Sequence, residues 1–102
     1  MDWTEVLDLV EHRLGIWTGR GTYMRAVALL TGFDLALGGD TLERFGATVY
    51  QRHPDAGPTG WPWLVLAETT GSTEEPDPND WATNRTAVAH LSAELRRFLK
   101  GG

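Results

Sequence analysis

Along the first segment, apolar residues recur at the spacing of one helix face. Trp3, Val6, Leu7, Val10 and Leu14 fall three and four apart, while Glu5, Asp8, Glu11 and His12 lie off that stripe. Asp2-x-x-Glu5 has the form of a capping box, so a helix is expected to open there. Gly15 is expected to stop it. Gly19-Arg20-Gly21 connects to Thr22, whose side-chain oxygen suits an N-cap. Tyr23 to Leu37 is then apolar almost all round (Val27, Ala28, Leu29, Leu30, Phe33, Leu35, Leu37). Such a segment is expected to be a central helix covered on several sides, with Gly32 as a point of interruption.

The same logic continues downstream. Gly38-Gly39 ends the second helix, and Asp40-x-x-Glu43 opens a third, with Leu42, Phe45 and Val49 as its buried stripe. Pro54 closes it by pushing His53 out of helical geometry. Pro62 can occupy the first turn of a short helix over Pro62 to Glu68, where its missing N–H costs nothing. The β-branched and aromatic content there suits a strand equally. Helix is the expectation, because no second strand exists to pair with it. Thr70 to Asn79 is expected to be a loop with a Pro-Asp-Pro turn. A last helix starts at Asp80 or Ala82 and runs to Lys100, with Val88, Leu91, Leu95, Phe98 and Leu99 on one face and basic residues in its final turns. The pattern predicts an all-α fold: a compact bundle of four to five helices forming a single domain over residues 1–102, with one long acidic Pro/Gly-rich loop region. The alternative is α+β, with a short strand at 61–68.

Composition narrows the function classes. At 102 residues and 11.3 kDa the chain is long enough to bury a core. It has no cysteine, which removes disulfides and thiolate metal sites. The longest apolar run, Trp61 to Ala67, is too short to span a bilayer. Met1-Asp2-Trp3 is acidic and lacks the basic start of a signal peptide. No membrane association is expected, and the expected location is cytoplasmic. The net charge of −5 argues against nucleic acid as a partner, since binding it requires a basic footprint.

The distribution of charge is more telling than its sum. Residues 53–84 contain no Lys or Arg, yet they hold six carboxylates (Asp55, Glu68, Glu74, Glu75, Asp77, Asp80), all five prolines and three of the five tryptophans. Carboxylates at a rim steer a basic partner, and tryptophans anchor interfaces. The window therefore points to contact with a protein of basic surface, through Asp55, Trp61, Trp63, Glu74, Glu75, Asp77, Asp80 and Trp81. Trp61 and Trp63, two apart on a helix, are expected to point one inward and one outward. A homodimer through that pair is a further possibility. The stretch divides into a Pro/Gly hinge, a Trp-Pro-Trp segment docked on the core and a carboxylate loop from Glu74 to Asp80.

Other chemistry finds less support. Gly19-x-Gly21-Thr22 before a helix could offer amides to a phosphate, with Trp17 beside it, giving a small nucleotide- or phosphate-binding domain. A phosphate loop, however, needs a Lys beside Ser or Thr, and the one Lys is Lys100. The histidines (His12, His53, His90) are dispersed. His90 and Glu94, one helical turn apart, form a two-ligand patch at most and read as a surface pair. Ser72 and Ser92 lack a nucleophile-elbow context. Asn84-Arg85-Thr86 has the form of a glycosylation acceptor, which carries no meaning without a leader. No enzyme activity, cofactor or metal is expected.

Arg13-Leu14-Gly15-Ile16-Trp17-Thr18-Gly19 resembles the R-P-x-M-Y-x-G signature of a group of small bacterial proteins, with Leu14, Ile16 and Trp17 in place of Pro, Met and Tyr. In that group the signature follows an N-terminal helix. A helix ending in a Gly-aromatic pair comes next (here Gly32-Phe33), then a Trp-Pro dipeptide (here Trp61-Pro62) and a closing Phe-Leu (here Phe98-Leu99). Proteins of this kind resemble the immunity partners encoded beside bacterial toxins. The resemblance implies a non-catalytic protein that neutralises a toxin or effector. A phage-type inhibitor of a host nuclease or defence protein is the close alternative.

Overall fold

The computed structural model describes residues 2–18 and 21–101, with the backbone alone for 14–18. Five helices make up the described residues: α1 (Trp3–Thr18), α2 (Tyr23–Ala36), α3 (Thr41–Arg52), α4 (Trp61–Thr70) and α5 (Trp81–Leu99). The expected all-α bundle is what the chain forms, and none of the described helices is long and apolar enough to cross a membrane.

The alternative strand at 61–68 is overturned. Gly60, in extended backbone, precedes α4, Pro62 sits in its first turn, and Gly71 closes it in the left-handed conformation with φ 76°. The Gly71 N–H donates to Ala67 O at 2.9 Å, a helix-terminal bond that glycine reaches without strain. Gly15, in contrast, does not stop α1, which continues to Thr18. Gly32 does not interrupt α2 either. Glycine ends a helix where the chain must turn through positive φ, as Gly38, Gly71 and Gly101 do after α2, α4 and α5, while Gly57 adopts positive φ within the α3–α4 turn.

Two expected N-caps are present, and Asp80 supplies a third. Asp2 Oδ1 accepts from Glu5 N–H at 2.9 Å, Thr22 Oγ1 from Arg25 N–H at 3.3 Å, and Asp80 Oδ1 from Thr83 N–H at 3.1 Å. The fourth differs. Asp40 makes no side-chain capping bond to α3. The buried Asp34, at the end of α2, reaches across the turn instead and accepts from Thr41 N–H (3.3 Å) and Leu42 N–H (3.1 Å). Gly39 is needed at that turn, because a Cβ there would collide with both the Asp34 carbonyl and its carboxylate.

The core gathers Val6, Leu7 and Val10 of α1, Tyr23, Ala26, Val27 and Leu30 of α2, Leu42, Phe45 and Val49 of α3, and Leu64, Val65 and Leu66 of α4. Ala87, Val88, Leu91 and Leu95 of α5 complete it. Helix α5 lies against α1, α2 and α4, and α3 bridges α2 and α4. The helix expected to be covered on several sides was α2, but it buries one stripe and leaves Leu35 71 % exposed. The segment that buries three consecutive residues is the short α4. Its seat on α3 depends on Gly46, where a Cβ would come within 2.6 Å of Trp61 Cδ1. Trp61 also meets Phe45 edge-on, with ring centroids 5.3 Å apart.

Candidate functional site

The carboxylate loop joins α4 to α5 and is exposed at Glu74, Glu75, Asp77 and Asp80. Its backbone is held by local bonds: Ser72 Oγ accepts from Glu74 N–H at 3.1 Å and Asp77 Oδ1 from Asn79 N–H at 2.8 Å. The decisive tie comes from Asn84, buried on the first turns of α5. Its Nδ2 donates to Asp77 O and Asp80 O, both at 3.0 Å, while its Oδ1 accepts from Tyr23 N–H at 2.9 Å. The carboxylates thus stand on a backbone fixed to two helices. Asp80 also accepts from the Thr83 hydroxyl at 2.7 Å, and the Thr83 side-chain and backbone bonds hold its carboxyl below the usual range.

At the foot of this loop Trp81 opens α5 with 75 % of its surface exposed. Beside it, a groove of about 430 Å³ runs between the end of α4 and the start of α5, lined by Thr69, Thr70, Ala82, Thr83 and Thr86. The carboxylates, the indole and the hydroxyl-lined groove occupy one end of the α4–α5 pair.

The remaining predicted contact residues lie elsewhere. Asp55 is exposed in the turn between α3 and α4, and Trp61 and Trp63 stand at the start of α4. Ten residues of helix, about 15 Å, separate that end from the carboxylate loop. The one-in, one-out expectation for the two tryptophans is not met: both are partly buried and packed on the core. Of Gly19 to Thr22 and Trp17, proposed for phosphate, Gly19, Arg20 and the Trp17 side chain lie outside the described residues, and Thr22 is buried as the cap of α2.

A second constellation was not legible beforehand. Glu68, on α4, receives His53 Nε2 on Oε2 at 2.6 Å and His90 Nε2 on Oε1 at 2.8 Å. Arg52 donates to both of its oxygens, with Nη2 at 3.1 Å from each. Glu94 stands 3.9 Å from His90 Nε2 and 3.8 Å from Arg52 Nη1, and pairs with Arg97 at 3.1 Å. Burial pushes the Glu68 carboxyl up, but hydrogen bonds from His90, His53 and Arg52, with the Arg52 charge, outweigh it and hold the group below its usual value. Sequence reasoning saw the His90–Glu94 spacing alone. Arg52, His53 and Glu68 are brought to it by the packing of α3 and α5 on either side of α4.

Comparison with family models, with curated proteins and with solved structures returned no match.

Proposed function

We propose that this chain is a non-catalytic protein-binding module that neutralises a basic partner, in the manner of an immunity or inhibitor protein acting on a bacterial toxin or effector. The observation that carries the reading is Trp81, 75 % exposed beside a cation-free loop of four carboxylates. Covering an exposed indole removes much apolar surface from water, and indoles are frequent anchors of interfaces. Several other acidic groups are paired within the fold: Asp8 and Glu11 with Arg96, Asp40 with Arg44, and Glu68 and Glu94 with Arg52. Glu74, Glu75 and Asp77 are left to project their field outward. Because Asn84 fixes the loop beforehand, docking costs little ordering entropy. A standard interface takes about 800 Å² from each side, about an eighth of the 6073 Å² this chain exposes. The carboxylate loop, Trp81 and the threonine groove form a continuous candidate for that area.

The test is co-purification with the product of the neighbouring gene, followed by association kinetics at two ionic strengths. Glu74→Lys, Glu75→Lys and Asp77→Lys together should slow association at least about tenfold at low salt and flatten its salt dependence. Trp81→Ala should act on dissociation, at a cost of about 2 kcal/mol or more. Unchanged association rates after charge reversal would remove the electrostatic part of the proposal, and an unchanged dissociation rate in Trp81→Ala would remove the anchor.

A further inference from the structure

Helices α4 and α5 deliver one imidazole and two carboxylates to one point, and His53, just past the end of α3, approaches it from the Glu68 side. The ligand atoms of Glu68, His90 and Glu94 all lie within 4.8 Å of one another. His53 adds its Nε2 at 2.6 Å from Glu68 Oε2. In a tetrahedral zinc site with bonds of about 2.0–2.1 Å, neighbouring ligand atoms stand about 3.3–3.4 Å apart. The His90–Glu68 contact of 2.8 Å and the His90–Glu94 contact of 3.9 Å bracket that spacing, so each of these two contacts lies about half an ångström from it. Three of the four donor side chains are set by rigid neighbours: Glu68 projects from α4, and His90 and Glu94 from successive turns of α5, which packs on α4. They are also shielded, with side chains 17, 26 and 13 % exposed.

The cluster already holds a cation of its own. The Arg52 guanidinium bridges the carboxylates, 3.1 Å from Glu68 and 3.8 Å from Glu94. It stands at the last residue of α3 with 39 % of its side chain exposed, so it can swing into solvent without disturbing the core. Two carboxylates balance the charge of a divalent ion, and two neutral imidazoles exclude the hard cations that demand an all-oxygen shell.

We propose that Glu68, His90 and Glu94, with His53 as the fourth donor, form a binding site for a divalent ion of the zinc class, which Arg52 vacates when the ion enters. The site is separate from the carboxylate loop. His90 follows Thr86 by one turn of α5, so the ion lies further along that helix than the residues lining the threonine groove and away from the acidic loop. Neither proposal depends on the other.

The test uses the full chain after dialysis against a chelator, titrated with zinc chloride by calorimetry and with cobalt(II) by visible absorption. One ion per chain and the intense cobalt bands of tetrahedral coordination are expected. His90→Gln and Glu94→Gln, each checked for helical content, should weaken zinc at least about tenfold. His12→Gln, at an exposed histidine outside the cluster, should leave it unchanged. Arg52→Gln should tighten it several-fold by removing the competing cation. As a readout that needs no variant, zinc should shift the ring resonances of His53 and His90 and leave those of His12 in place. The site is overturned if wild-type protein gives no stoichiometric binding, if His12→Gln is the variant that loses it, or if the His53 and His90 resonances do not move. Unchanged or weaker binding in Arg52→Gln would overturn the exchange of Arg52 for the ion.

Discussion

Asn84 accepts from the first N–H of α2 and donates to two carbonyls of the carboxylate loop, so one buried amide couples the start of α5 to the loop before it and to α2, 61 residues away. Removing it leaves Tyr23 N–H without its partner and takes one of two donors from each of the Asp77 and Asp80 carbonyls, in a place where water replaces them poorly. A buried donor left unsatisfied costs about 1–3 kcal/mol. Asn84→Ala should therefore lower stability by about 2–3 kcal/mol, measured by chemical denaturation. It should also speed exchange of the Tyr23 amide. A loss within about 0.5 kcal/mol would mean that the loop holds its shape without the amide. The residue was visible in the sequence only as the start of a glycosylation-like triplet. Nothing local in Asn84-Arg85-Thr86 records that its side chain points inward, because its partners lie 61 residues away and in the preceding loop.

At the scale of elements, what was legible divides by the range of the interaction that fixes it. The caps at Asp2 and Thr22, made within three residues, were read correctly from residue type, whereas Asp80 was read only as one of two starting points of α5. The buried stripe of α3 was equally plain, because Leu42, Phe45 and Val49 obey helical spacing. The cap of α3 was assigned to Asp40 because it precedes Thr41, yet the side chain that does the work is Asp34, delivered by the turn at Gly38-Gly39. This makes a prediction that inverts the sequence reading. Asp34→Ala should cost about 1–2 kcal/mol, within the range of lost helix caps. Asp40→Ala removes only an exposed pair with Arg44 and should cost about 0.5 kcal/mol or less. Comparing the two denaturation midpoints decides it, and equal losses would return the cap to Asp40. The polar cluster escaped for a related reason. Arg52 and His53 are 16 and 15 residues from Glu68, His90 is 22, and only their packing around α4 makes them neighbours. The carboxylate loop, by contrast, was legible because its exposure follows from its own Pro- and Asp-rich composition.

For the molecule as a whole, two titrating groups tie helices together and limit stability from opposite sides of the pH scale. Glu68 holds α3 and α5 to α4, and its folded-state carboxyl is depressed below its ordinary value of 4.5, because the bonds from His90, His53 and Arg52 outweigh burial. A depressed acid contributes stability that is present above the unfolded value and lost as pH falls through the folded one. Tyr23 holds α2 to α4, donating its hydroxyl to Pro62 O at 2.7 Å. Burial, and secondarily the negative charge of Glu68, raise its phenol far above the ordinary 10.0. A raised group contributes stability that is complete below the unfolded value and lost as pH rises through the folded one. Thermal melts across pH should therefore show wild type more stable than Glu68→Gln at neutral pH, with the gap closing as pH falls below 4.5. Wild type should also exceed Tyr23→Phe at neutral pH, with that gap narrowing and then reversing once pH climbs past 10.0, because phenylalanine has no proton to lose. Each difference isolates one group from the background of other carboxylates and bases. A Glu68→Gln curve parallel to wild type throughout the acid limb would show that the cluster contributes no pH-dependent stability, and the same parallelism on the alkaline limb would remove Tyr23 from that role.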